Sequence, residues 1–125
     1  MQASSSVGRR RFRSAALEEM LAAAEAAYPQ EWVGALLGDR GQIEKVVGLP
    51  NMDVNPLDGY YASPTDLLSV VVQNPGLELL GVAHSHPNGD SQLSPVDREH
   101  ALPGLWYIVI PVISGRANRI GLWQL

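Results

Sequence analysis

The sequence predicts one α/β (α+β) domain in which helices flank a mixed set of strands. Three observations carry the prediction. Apolar stripes at helical spacing alternate with short β-rich runs, twelve glycines and nine prolines punctuate the chain, and 125 residues suffice for one core only. With 46% hydrophobic and 18% charged residues, the composition is that of a folded globular chain. Residues 1–8 read as a flexible N-terminal tail and 9–125 as a single domain.

The first predicted element is a helix from Ser14 to Tyr28, capped by Ser14. Leu17, Met20, Leu21, Ala24 and Tyr28 form its apolar stripe, and Pro29 ends it. Strands are predicted at Trp32–Leu37 and Ile43–Leu49, separated by the turn residues Gly38, Asp39 and Gly41. Asn51–Gly59 reads as a loop. Ser63-Pro64 starts a second helix that runs to Gln73, and Asn74-Pro75-Gly76 breaks the chain. Leu77–His86 carries apolar residues on both parities, as a central strand covered on both faces does. A polar loop at Pro87–Leu93 precedes a short helix near Pro95–Leu102, and strands at Leu105–Ile113 and Arg119–Leu125 close the chain.

The composition narrows the function. Without cysteine there is no disulfide, zinc ribbon or thiol nucleophile, which suits a reducing cytoplasm. No apolar run reaches membrane-spanning length, and no apolar stretch follows the N-terminal arginines as in a secretory signal. Arg9, Arg10, Arg11 and Arg13 give the first thirteen residues a charge of +4, and the remainder carries −8. An acidic body argues against a phosphate-tracking surface, so nucleic acid is not expected as partner, and without a spanning run neither is a membrane. The arginines read as a solvated terminus or a short edge strand.

The chemistry is concentrated between residues 84 and 97. On an extended strand His84 and His86 share a face at the strand's C-terminal end. The loop and helix start that follow bring Asp97 back towards them. Two imidazoles and a carboxylate suit tetrahedral Zn²⁺ with one position left to water. The Ser94-Pro95-Val96-Asp97 stretch alone proves only a helix start, because Ser63-Pro64-Thr65-Asp66 has the same form with no histidine near it in sequence. The joint pattern carries the metal-site reading. A hydrolase also needs a proton carrier. Glu78 lies about 20 Å from His84 along the strand. Glu99 points away from Asp97's face, and Glu25 and Glu44 fall on an exposed helix face and an edge strand. Glu31, between a helix end and a strand, is the remaining candidate.

These residues resemble the JAMM (JAB1/MPN/Mov34) metallopeptidase family, small prokaryotic branch. His84-Ser85-His86, seven residues, Ser94, two residues and Asp97 match its signature without a gap. Pro29-Gln30-Glu31-Trp32-Val33-Gly34-Ala35-Leu36-Leu37-Gly38 is similar to its upstream glutamate stretch, and Asn51 through Pro56 to Tyr61 is similar as well. The resemblance implies a curved mixed sheet flanked by helices, related to the cytidine deaminase fold. It implies Zn²⁺ on His84, His86 and Asp97, Glu31 as general acid/base, and Ser94 as hydrogen-bond donor to the oxyanion. Ser85 would support the backbone, and His100 matches no family role. The implied substrate is a ubiquitin-like or sulfur-carrier protein ending in Gly-Gly, its tail lying along Gly59–Ala62 or Asn88–Leu93. The alternatives are a RadC-like protein, or a binding module whose structural zinc takes His100 as fourth ligand. Oligomeric state is not legible.

Overall fold

A computed structural model describes the chain except residues 1, 4, 54, 56, 58, 59, 91, 100 and 125, and describes the side chains of 2, 3, 5–7 and 96 no further. Pro56, Gly59, His100 and Leu125, named above, therefore lie outside the described residues. The elements are β1 (Gln2–Ala3), α1 (Ser5–Arg10), α2 (Ser14–Ala27), β2 (Val33–Asp39), β3 (Gln42–Leu49), α3 (Pro64–Gln73), β4 (Glu78–His86), α4 (Pro95–Glu99), β5 (Trp106–Pro111) and β6 (Gly121–Gln124). Among the described residues six strands form one mixed sheet in the order β1-β6-β5-β4-β2-β3. All neighbours are antiparallel except β4 and β5.

β4 is the interior strand that positions the chemistry. It pairs with β2 on one side and runs parallel to β5 on the other, with His84 opposite both Val33 and Val109. Its last six residues are all buried. One face packs Ala83, Ile108, Ile110 and Leu36 against Ala16, Met20 and Ala24 of α2. The other packs Val82, Val109 and Val33 with Leu93, Tyr107 and Trp123, with Leu67 of α3 against them. The strand is thus covered on both faces, as its two apolar parities predict.

Simple alternation fails at one place. Leu36 pairs with Gly81 but Leu37 with Leu79, so Leu80 is an extra, bulged residue. Leu80 packs on the α2 side, and Leu79 joins Ala35, Leu37 and Val70 on the other. Positions 82, 84 and 86 keep one face, and position 80 leaves it. Gly81 beside the bulge permits a close approach: a Cβ there would collide with the Trp106 carbonyl oxygen of β5.

Several further expectations change. Residues 1–8, read as a tail, contain β1, which pairs with β6, and the start of α1. The N-cap of α2 is Arg13, whose side chain makes no capping bond, and Ser14 is already helical. Ala16 takes the place given to Tyr28 in the buried stripe, because Tyr28 lies beyond the last helical turn and is exposed. The helix after Ser94 ends at Glu99 rather than near Leu102. The arginines are not simply solvated, since Arg9 donates to the Asn118 carbonyl and Arg11 lies 5.3 Å from the Trp106 ring centroid. The β2–β3 turn falls on Arg40 and Gly41, both at positive φ (52° and 76°), as a two-residue hairpin of this hand requires.

Gly81→Ala tests the β4–β5 register. Forcing a methyl against backbone should cost about 3 kcal/mol, measured by denaturant unfolding, whereas unchanged stability would contradict the close approach.

Candidate metal centre

The centre lies at the C-terminal end of β4, where the chain turns away from the sheet. His84 and His86 project from the same face, and their Nε2 atoms stand 2.9 Å apart. His86 is oriented through its other nitrogen: Nδ1–H donates to the Asp90 carbonyl at 3.0 Å, which leaves the Nε2 lone pair facing the cluster. The His86 carbonyl accepts from Gly89 and from Val112, tying the loop and the end of β5 to the end of β4. Gly89 meets this turn at φ 81°.

Asp97 reaches the imidazoles through a reciprocal cap. Ser94 Oγ accepts from the Asp97 N–H at 3.0 Å, and Asp97 Oδ2 accepts from the Ser94 N–H at 2.9 Å. This is a capping box with aspartate in the third position. The same Oδ2 lies 3.2 Å from His84 Nε2 and 3.5 Å from His86 Nε2. The helix start and the site acid, separate readings of one motif in the sequence, are one structure.

Glu31 is buried, and its carboxylate comes within 4.8 Å of the ligand atoms of both histidines. Ser85 places it. Its N–H donates to the Trp32 carbonyl at 2.9 Å, and its Oγ accepts from the Trp32 N–H at 2.7 Å, so the residue after Glu31 is locked to the residue between the histidines. The Asn51 amide donates to the Glu31 carbonyl at 2.9 Å, and Asn51 Oδ1 accepts from the N–H groups of Asp53 and Tyr61. Of the other glutamates, Glu25 is not simply solvated: it accepts from the Ala117 N–H at 2.7 Å. Glu44 is exposed on the edge strand β3.

The electrostatics favour a neutral His84 beside an ionised Asp97, whereas His86 is drawn towards its charged form. Complete burial lowers the His84 pKa, and hydrogen bonding to Asp97 offsets this only in part. For His86 burial also opposes the charge, but the Asp97 hydrogen bond, Glu31 and the Asp90 carbonyl prevail and raise it. Burial would push the Asp97 carboxyl up, yet its bonds to His84, His86 and the Ser94 N–H hold it far below the ordinary carboxylate range.

Tyr60 was not singled out from the sequence. Its ring stacks on His84 with centroids 4.1 Å apart and planes at 22°. Burial, then Asp97, Tyr107 and Glu31, push its hydroxyl above the ordinary tyrosine range. The sequence of the loop that carries it gives no sign of this contact, because a stack between residues 24 positions apart leaves no periodic signal.

A cavity of about 390 Å³ opens over the cluster, its wall including Glu31, His86, Ser94, Asp97, Asp53 and Asp90. Ligand atoms 2.0–2.1 Å from a tetrahedral zinc stand about 3.3 Å apart. The separations of 2.9, 3.2 and 3.5 Å among His84, His86 and Asp97 bracket that value. Two imidazoles and one carboxylate therefore fit a zinc ion, with the cavity on the remaining side.

The model of the prokaryotic homologs of the JAB domain matches residues 13–125. The chain belongs to this family. It is 37% identical over 91 residues to a probable TtuB-protein conjugate cleaving protease of Thermus thermophilus, covering 71% of this chain and 61% of that protein. It is 31% identical over 86 residues to a desampylase of Haloferax volcanii, covering 65% and 62%. The match thus spans about three fifths of the length of either relative. A solution structure from Desulfitobacterium hafniense superposes with a TM-score of 0.74 at 30% identity, covering 90% of this chain and 83% of that one. A JAB1/MPN domain protein of Archaeoglobus fulgidus shares the fold, with a TM-score of 0.62 at 21% identity, covering 90% and 87%. The mixed sheet flanked by helices is the JAB1/MPN fold. Among the described residues no helix is long and apolar enough to cross a membrane.

Asn51→Ala removes three hydrogen bonds that join the Glu31 backbone to the loop bearing Tyr60. The loss should cost about 2 kcal/mol and lower the melting temperature by roughly 5–8 °C. An unchanged melting curve would show that Asn51 does not hold these segments together.

Proposed function

We propose that this chain is a zinc-dependent isopeptidase that hydrolyses the amide bond at the C-terminal Gly-Gly end of a ubiquitin-like or sulfur-carrier protein. The observation that carries the reading is the convergence of His84, His86 and Asp97 within 3.5 Å of one another, with His86, Asp97 and buried Glu31 on the wall of an open cavity. The names of the Thermus and Haloferax relatives support the substrate class.

His84 Nε2, His86 Nε2 and Asp97 Oδ2 would hold the ion. Zinc bound there supplies a Lewis acid that lowers the pKa of water to about 7. Glu31 serves as the proton carrier: its carboxylate takes a proton from the attacking water and delivers it to the departing amine. Ser94 Oγ accepts from the Asp97 N–H, so its own hydroxyl proton is available to the carbonyl oxygen as negative charge develops there. The remaining carboxylates of the cavity wall, Asp53 and Asp90, favour the positive charge that a lysine amine acquires on leaving. Glycines at the end of the carrier bring no side chains that must clear the cavity wall.

A structural zinc is closed by four protein ligands, and the sequence offers His100 as a candidate for the fourth. The hydrolase reading expects His100→Ala to keep its zinc, and loss of metal there would favour the binding module.

The purified protein should hold about one zinc per chain and release a Gly-Gly-terminated carrier of its own host from a conjugate, measured by mass spectrometry. A chelator should abolish release. Glu31→Gln should keep its zinc and lose roughly 10²–10⁴-fold in turnover. Full activity in that variant would remove Glu31 from the reaction, and release unaffected by chelation would remove the metal.

A further inference from the structure

We infer that Tyr60 is the positioning residue of His84, its stacked ring fixing the plane of that imidazole where a hydrogen bond would ordinarily do so. The inference rests on the reading of His84 as a zinc ligand. A ligand histidine commonly donates its second ring N–H to an oxygen, which sets both tautomer and ring plane. His86 follows that pattern through Asp90. His84 does not: its Nδ1 is buried and has no hydrogen-bond partner among the described residues. Its rotation about the Cβ–Cγ bond is therefore not restrained by hydrogen bonding on the side away from the cluster.

The Tyr60 ring supplies the missing restraint. It lies nearly parallel to His84 at 4.1 Å, while the His86 ring stands edge-on at 63° and 4.7 Å. Turning His84 away from Asp97 would break the stack and drive the imidazole into Tyr60. The tyrosine is in turn held by its chain neighbour, because the Tyr61 N–H donates to Asn51 Oδ1 and the Tyr61 carbonyl accepts from the Met52 N–H at 3.0 Å. Asn51 also bonds the Glu31 carbonyl, so the clamp on His84 and the proton carrier are anchored to one side chain. Tyr60 further lines both the cavity over the cluster and an adjoining cavity of about 360 Å³ walled by Ala62, Leu67 and Leu105. It therefore forms part of the partition between them.

The test uses the full chain with zinc or cobalt alone, without substrate. Zinc affinity is measured by competition with a chromophoric chelator, and the Co²⁺ form by its visible absorption. Tyr60→Phe keeps the stack and should match wild type within about threefold, with the same cobalt spectrum. Tyr60→Leu and Tyr60→Asn lose the aromatic face and should bind zinc about 10- to 100-fold more weakly, with altered cobalt bands. Thermal unfolding of the metal-free proteins identifies which of the two is folded. A folded variant with wild-type affinity and spectrum would overturn the inference. If neither folds, NMR of the wild-type protein decides it: the stack predicts that the carbon-bound ring protons of His84 are shifted upfield of those of His86 by ring current, and equal shifts would overturn it. Failure of wild type to bind zinc would instead overturn the metal-site reading itself, so the two failures are distinguishable.

Discussion

The centre depends on the reciprocal cap between Ser94 and Asp97. A five-residue helix has too few internal hydrogen bonds to offset its own nucleation. The exchange of Oγ and Oδ2 with the two backbone N–H groups supplies what the helix lacks. Because Oδ2 accepts the Ser94 N–H, the carboxylate cannot swing into solvent without uncapping α4. The orientation that starts the helix also aims the acid at His84 and His86. Burying such a carboxylate is costly unless it is fully bonded, and the cap provides part of that bonding.

The sheet meets the same need for the histidines. Parallel pairing with β5 and antiparallel pairing with β2 bury the end of β4, and strand alternation sends its imidazoles to one face. Ser85 points to the other face and closes two hydrogen bonds with Trp32, so the strand that presents the ligands also fixes the backbone beside Glu31. The placement of the two histidines and that of Glu31 are thus coupled through one buried serine.

Much of this was legible in the residues, for physical reasons that differ by element. Helices with apolar stripes and strands with two apolar parities report their own burial, so α2, α3 and β4 were predictable. The spacing of His84, His86, Ser94 and Asp97 is local, and local geometry follows from strand alternation and a helix cap. Long-range pairings leave no such trace. The bulge at Leu80 shows only in the register against Leu36 and Leu37, the hydrogen bond from Ala117 to Glu25 joins residues 92 apart, and the Tyr60 stack joins a loop to β4. The N-terminal residues, polar enough to read as a tail, acquire structure because β6 offers an edge for β1. Glu31 is intermediate: elimination left it as the candidate, and only the fold brings it within 4.8 Å of the histidines.

The most direct test is anomalous diffraction at the zinc edge from crystals of the zinc-loaded protein. The account predicts a single peak between His84 Nε2, His86 Nε2 and Asp97 Oδ2, with the Glu31 carboxylate nearby but not bonded to it. A peak elsewhere, or an ion whose shell is completed by Glu31 or another side chain, would contradict it.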